Sequence, residues 1–403
     1  MEKLTIESLE IHTGFDGSAP RSIGGFKAGV RNELTVFPSF HETDIGTSPE
    51  IKGIAHRLCF IIRNKGKKAA QLKININHES PDEKFLPFRD VYFFKHQQDQ
   101  EWKMLPAPPL DGISSCVIGL KPGDTEFGES PSYNYGRLCK YISRIKKNSL
   151  VHADIYGKSE QGHDLLEFSI SDSRYPAAGK RKAGITARNH AYETSGNYCI
   201  EGMMEFLLEK SAIASYLLSK YDFHFLPMTN VDGVIYGMTR LSSISGADHN
   251  RVNTVPDSAH RAMKQVYDRE QYDVYINVHN WQNKSIDGIL SNDKRFGELV
   301  NSFLPVIPDH FKIRKIVASE DWARDQGYAS REELITAEPE KWEKSKSWKN
   351  YIAELKTGVN TVTFEFPWYA RNTEDMKNLG KDALLAVLHA DIHYNLEKAG
   401  NFK

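Results

Sequence analysis

No apolar run in the sequence approaches the roughly 20 residues that a bilayer-spanning helix needs, so a membrane span is not expected. The opening, "MEKLTIESLEIHTG", lacks the apolar centre of a secretory leader. Excess charge of either sign is missing as well. The 52 Lys and Arg residues against 53 Asp and Glu leave a formal net charge of −1, which gives no reason to expect nucleic acid or a membrane surface as partner. Cysteine is scarce: Cys59, Cys116, Cys139 and Cys199 are scattered and form no CxxC pair. That usage favours reduced thiols in a cytoplasmic setting. Internal repeats and low-complexity tracts are not visible.

What is present is a chain of 403 residues, too long for one ordinary core. The first third reads as β structure. "LTIESLEI", "ELTVF", "RLCFIIRN", "AQLKININ", "DVYFFKH", "EWKML" and "SCVIGL" are short and rich in β-branched and aromatic residues. Turn clusters such as "NKGKK", "HESPDE" and "APPLDG" separate them. This spacing predicts an antiparallel β-sandwich with a structural or docking role over 1–128. The texture changes around "KPGDTEFGESPSYNYG" (121–136), and a second domain is expected over 129–403. There Ile200, Met203, Met204, Leu207 and Leu208 recur at helix spacing, as do Ala259, Met263 and Val266. "YDVYINVH" and "NTVTFEF" read as strands, and "DALLAVLHADIHYNLEKA" as a helix. Alternating helices and strands predict an α/β layer fold, with ligands gathering beyond the strands' C-terminal ends.

The chemistry-bearing residues fall at such ends. His190 and Glu193 follow the apolar "AGITAR", and His279 closes "YDVYINVH". Two His and one Glu leave a fourth position on a tetrahedral zinc open for water, as a hydrolytic site requires; an HxxE pair alone also fits a polar connecting loop. "NVDG" is followed by Arg240 and Arg251, the second next to Asn250. Glu365 interrupts an otherwise apolar strand, where a carboxylate is costly unless it has a partner, a task or an exposed edge.

In this order "ARNHAYET", "NVDGVIYGMTR", "GADHNR", "NVHNW" and "TFEFPW" resemble the M14 family of zinc carboxypeptidases, over roughly 130–403. "YGKSEQGHDLLEFSI" is similar to that family's lead-in strand pair. The β-rich leader with "SYNYGRL" is similar to the cytosolic carboxypeptidase branch. The resemblance implies a carboxypeptidase-like domain with a mixed central sheet flanked by helices, preceded by the sandwich, and one zinc ion. It implies His190, Glu193 and His279 as zinc ligands, Glu365 as general base and Arg240 as oxyanion stabiliser. Asn250 and Arg251 would clamp the terminal carboxylate of a peptide or protein tail. A substrate-capping tyrosine is expected between His279 and Glu365; Tyr351 is preferred to Tyr328. This sequence has "HAYE" where the family has HPGE, "NVDG" for NPDG, and "DHNR" for DLNR. Beside the clamp, His249 therefore replaces an apolar residue, to alter preference or simply to pack.

Other readings stay open. "HADIH" (389–393) places two His on one helix face and could bind metal. "AEPEKWEKSKSWKN" (337–350) is either a solvated face or a source of Lys344, Lys346 or Lys349 for an acidic C-terminal residue. Arg188 either serves the site or pairs with a nearby carboxylate. The function expected is hydrolysis of C-terminal peptide bonds. The alternatives are a zinc deacylase of small N-acyl amino acids and a non-catalytic peptide-binding module.

Overall fold

A computed structural model describes residues 3–30, 32–40, 56–78, 90–242, 245–281, 286–305 and 314–400. The segments before residue 129 form two facing sheets. The six-stranded one runs in the order Lys3–Ile6, Leu9–His12, Cys59–Asn64, Gly123–Gly128, Val91–His96, Lys103–Pro106 and is antiparallel throughout. The five-stranded one runs Pro109–Leu110, Ile113–Leu120, Ala70–Asn77, Glu33–Val36, Phe26–Ala28. It departs from the all-antiparallel expectation at one pair, because Glu33–Val36 runs parallel to Ala70–Asn77. Side chains alternate across each strand, so Cys116, Ile118 and Leu120 meet Ile11, Phe60 and Phe127 of the opposite sheet in one core.

Two details differ from the sequence reading. "LTIESLEI" is a hairpin rather than one strand: Glu7 takes φ 53° and turns the chain back between Ile6 and Leu9. Gly123–Gly128, inside the expected boundary stretch, is an interior strand of the six-stranded sheet. Its charges hid it, and Arg63 answers one of them by gripping Asp124 at 2.6 and 2.8 Å.

The rest of the chain builds a mixed eight-stranded sheet. Its order is Val151–Lys158, Asp164–Ile170, Tyr221–Leu226, Arg181–Ala187, Val274–His279, Asn360–Glu365, Gly288–Ser291, Lys315–Ala318. The four central strands, 221–226, 181–187, 274–279 and 360–365, are parallel, so their C-terminal ends share one edge. The 274–279 strand is buried on both faces, which is why its apolar residues are nearly continuous. From 181–187 the chain moves one way to 221–226, then crosses back to 274–279 on the other side. That reversal opens a crevice at the sheet edge between the two.

Helices cover both faces. Ser195–Leu207 and the long Thr373–Lys398 share the larger core with Lys294–Phe303. Ser258–Glu270 and Trp348–Leu355 bury Met263, Val266, Trp348 and Ile352 on the other side. The 195–207 and 373–398 helices cross at glycine. A Cβ on Gly202 would lie 1.9 Å from the Lys377 carbonyl oxygen, and one on Gly380 would lie 2.2 Å from that of Cys199. The four cysteines are free thiols. No helix among the described residues is long and apolar enough to cross a membrane.

The crossing yields a measurable consequence. Gly202→Ala should destabilise the fold by about 1–3 kcal/mol through overpacking, despite its better helix propensity. Urea unfolding checks it, and unchanged stability would mean the helices are free to move apart.

Candidate active site

The His190–Glu193 turn begins where the 181–187 strand ends. Arg188 adopts φ 59° there, a left-handed conformation uncommon for a side-chain-bearing residue, and redirects the chain. Its buried guanidinium is bonded to carbonyl oxygens, not to a carboxylate. It donates to the carbonyls of Tyr133 at 3.1 Å and Ala191 at 2.7 Å and to Asn197 Oδ1 at 3.0 Å, which shapes the turn from within. Burial, and then the charge of Arg57, push this guanidinium below its usual range. Glu193 stands just before the 195–207 helix, whose N-terminal dipole favours a negative charge.

His279 comes to the same place from the end of the neighbouring strand. The His190 and His279 rings are 4.9 Å apart between centroids. Glu193 lies between them, with Oε1 2.9 Å from His190 Nδ1 and Oε2 2.7 Å from His279 Nδ1. Burial alone would raise the Glu193 carboxyl, but the facing His279 and His190 hold it below the ordinary carboxylate range. Burial lowers the His279 imidazole, against the opposing pull of Glu193.

These three residues are all buried, and their ligand atoms lie within 4.8 Å of one another. Glu193 Oε2 and both ring nitrogens of His279 have no hydrogen-bond partner among the described residues, although the first two atoms almost touch. Two imidazoles and a carboxylate gathered in this way fit a cation, and the donor set suits zinc. Asp248 Oδ1 lies 3.3 Å from His190 Nε2 and fixes the ring's orientation from behind.

Asp248 has further duties. Its Oδ2 accepts from Arg240 Nε at 3.1 Å and Nη2 at 3.0 Å, and its Oδ1 accepts from the Asn250 N–H at 2.9 Å. Burial opposes its charge, yet Arg240, then Arg251 and His190, hold it well below the usual carboxylate range. The sequence reading quoted this aspartate inside "GADHNR" and gave it no task; the signal was an acid two positions before the clamp pair.

A cleft of about 410 Å³ opens above the turn. His190, Glu193, Arg240, Asn250, Arg251 and Glu365 all line it. Glu365 ends its strand in direct register with His279. A Cβ at Gly288, opposite Glu365 on the other flank, would lie 2.6 Å from the Trp281 ring and 2.9 Å from Glu365 Cβ, so only glycine fits there. Asn250 Oδ1 is buried without a hydrogen-bond partner among the described residues. Trp281 and Trp342 also face the cleft, and the sequence reading named neither for it.

Several expected residues stand elsewhere. Tyr351 is not brought to the cleft: its hydroxyl donates to Asp268 at 2.6 Å and its ring meets Trp348 edge-on. Tyr328 packs with Leu334 and Trp342 and donates to Glu338. Of the three lysines, Lys349 lines the cleft while donating to the Ser291 carbonyl at 3.1 Å. Lys346 is held by Glu343 and Glu354, and Lys344 is exposed. His249 is buried behind the clamp, 2.9 Å from Asp257 Oδ2. In "HADIH", Asp391 turns inward to Arg181, Tyr221 and Asn360, so the three residues form no metal cluster.

Fold and site together set a buried cluster of two histidines and a glutamate, able to hold a cation, at the switch point of an α/β sheet. Residues 138–294 match the zinc carboxypeptidase family, Peptidase M14. The chain is 27% identical over 208 residues to cytosolic carboxypeptidase 6 of Caenorhabditis elegans, covering 48% of this chain and 43% of that protein. It is 32% identical over 174 residues to cytosolic carboxypeptidase 2 of Danio rerio, covering 40% and 23%. The match thus spans less than half the length of either relative. A metallo-carboxypeptidase structure from Burkholderia cenocepacia shares the fold, with TM-score 0.74 over 96% of this chain and all of that one, at 15% identity. His190, Glu193, Arg240, Asn250, Arg251 and His279 fall inside the family match and Glu365 lies beyond it.

Asp248→Asn keeps the side chain's shape and removes its charge. It should weaken zinc binding about 10–100-fold with the circular dichroism spectrum unchanged. Calorimetric titration with zinc measures this, and parent-like affinity would leave Asp248 a purely structural residue.

Proposed function

We propose that this chain is a zinc carboxypeptidase that hydrolyses the C-terminal amide bond of peptides or protein tails. The observation that carries the reading is the convergence, on one cleft, of a buried His₂Glu cluster, a carboxylate in register with one ligand, and an Asn–Arg pair. His190, Glu193 and His279 would hold one zinc ion, which supplies a Lewis acid and lowers the pKa of water to about 7.

The remaining work belongs to the chain's own groups. Glu365 takes a proton from the attacking water and returns it to the leaving amine, the task of a carboxylate placed beside the reacting centre. Arg240, its plane fixed by Asp248, faces the negative charge that develops on the carbonyl oxygen. Arg251 and Asn250 bind the free terminal carboxylate, which makes the enzyme an exopeptidase. Lys349 adds a third cation to the lining and favours an acidic final side chain.

Residues 1–128 form the sandwich domain in this reading and 129–403 the catalytic one. The cytosolic relatives and the free cysteines support a cytoplasmic location. A deacylase of small N-acyl amino acids would need the same zinc cluster but no preference for peptides, and a mere binder would give Glu365 no task.

Metal analysis combined with blocked dipeptides and N-acetyl amino acids tests the reading. Dipeptide turnover that requires zinc is expected; cleavage of the acetyl compounds alone would replace it with the deacylase. Terminal Glu should be released faster than terminal Leu, and equal rates would remove the part given to Lys349. Glu365→Gln should retain zinc and lose about 10²–10⁴-fold in kcat. Arg251→Ala should raise KM for free-carboxylate substrates about 10–100-fold with kcat less affected. Substantial Glu365→Gln turnover, or an unchanged Arg251→Ala KM, would withdraw the corresponding role.

A further inference from the structure

Arg57 belongs to the short strand His56–Arg57, far from the cleft in sequence, and is 4% exposed. That strand pairs with Ser39–Phe40 in a two-stranded sheet of its own, just before the sandwich strand Cys59–Asn64, and the Arg57 guanidinium ends behind the candidate active site. Nη1 donates to the carbonyl of Ala191 and, at 3.4 Å, to that of Met238; Nη2 donates to the Gly17 carbonyl at 3.3 Å. Ala191 lies between His190 and Glu193, and Met238 precedes Arg240 by two residues. One planar cation therefore ties the turn carrying two ligands to the segment carrying the oxyanion arginine. It does so without lining the cleft itself.

Arg188 donates to the same Ala191 carbonyl, but from within the turn. It can hold the turn's shape and cannot set its distance from residues 238–240. Those two segments share a direct bond, Tyr192 N–H to Thr239 O at 2.9 Å, and Arg57 braces that contact from outside. The same N-terminal region holds the second segment at more points. Gly17 N–H and Arg21 Nη1 both donate to the Ile235 carbonyl, at 3.1 and 2.8 Å. Gly237, at φ 66°, passes so close to Ser18 that a Cβ would lie 1.9 Å from its carbonyl oxygen. A buried guanidinium spent on backbone carbonyls is a costly way merely to dock two units, since apolar contact would serve. Its fork anchors one nitrogen on the Gly17 carbonyl and so holds the other where it bridges the Ala191 and Met238 carbonyls.

We propose that Arg57 is a positioning residue of the metal site, so that the N-terminal sandwich sets the spacing between the His190–Glu193 turn and Arg240. This rests on the carboxypeptidase reading. The test uses the full chain and its Arg57→Ala and Arg57→Lys variants. Zinc affinity is read by competition with a chromogenic chelator, kcat and KM on a blocked dipeptide at saturating zinc, and folding by thermal unfolding. Arg57→Ala should bind zinc about 10–100-fold more weakly and lose about tenfold in kcat. Its KM should stay within about twofold, because Asn250 and Arg251 keep their places. A lowered melting temperature with parent-like zinc affinity and kcat would overturn the proposal, leaving Arg57 a docking contact. Should the alanine variant fail to fold, Arg57→Lys decides, because a single ammonium cannot reach the Gly17 carbonyl on one side and the Ala191 and Met238 carbonyls on the other, as the two guanidinium nitrogens do. Weaker zinc binding with lower kcat then supports the role, and parent values overturn it. A parent chain that binds no zinc or cleaves no dipeptide would overturn the carboxypeptidase reading and this proposal together. An active parent matched by Arg57→Ala would overturn this proposal alone.

Discussion

A carboxylate buried between two imidazoles is the constraint around which the second half of the molecule is arranged. Glu193 faces His190 and His279 at 2.9 and 2.7 Å, and all three are buried, with His190 and Glu193 lining the cleft. Removing three such groups from water is expensive, and a shared cation is the partner that offsets the cost for all of them. The sheet makes the meeting possible because the strands delivering the two histidines are neighbours and strand order reverses between them. The helix that follows Glu193 is locked by the glycine crossing at 202 and 380, so the carboxylate is aimed by the core and not by a free loop.

Asp248 links this cluster to the opposite wall. It orients His190, holds Arg240 by two nitrogens and accepts the backbone N–H of Asn250. His190, Arg240 and the Asn250 backbone thus share one acid, and a shift in any of them is felt by the others. Behind it, His249 pairs with Asp257, the residue that also caps the Ser258–Glu270 helix. The histidine found where an apolar residue was expected is therefore a second anchor for the clamp segment.

Much of the cluster's placement could be read from the sequence because its polar side chains stand where strands end. His279 and Glu365 each close an apolar run, and a polar residue there breaks the pattern visibly. The turn holding His190 and Glu193 fits a polar loop by its residues alone, and only the order of motifs resembling the M14 family singles it out. Other features left no such trace. Gly123–Gly128 was concealed because Asp124 finds its partner in Arg63 on another strand, and local composition cannot report a distant cation. Tyr351 stood in a suitable interval, but the helix turns its hydroxyl toward Asp268. Arg57 was invisible for a more general reason: its acceptors are backbone carbonyls, which impose no residue type on their own positions.

The hydrogen bonds that cross from residues 17, 21 and 57 to residues 191, 235 and 238 bear on how such chains can be recombined. The eight-stranded sheet and its helices, excised from the preceding strands and grafted onto a foreign partner, would arrive with one wall of the cleft unbraced. The heritable module is accordingly larger than the eight-stranded sheet and its helices. Swaps between homologues should move the bracing arginine together with the loops it holds, much as a keystone travels with its arch.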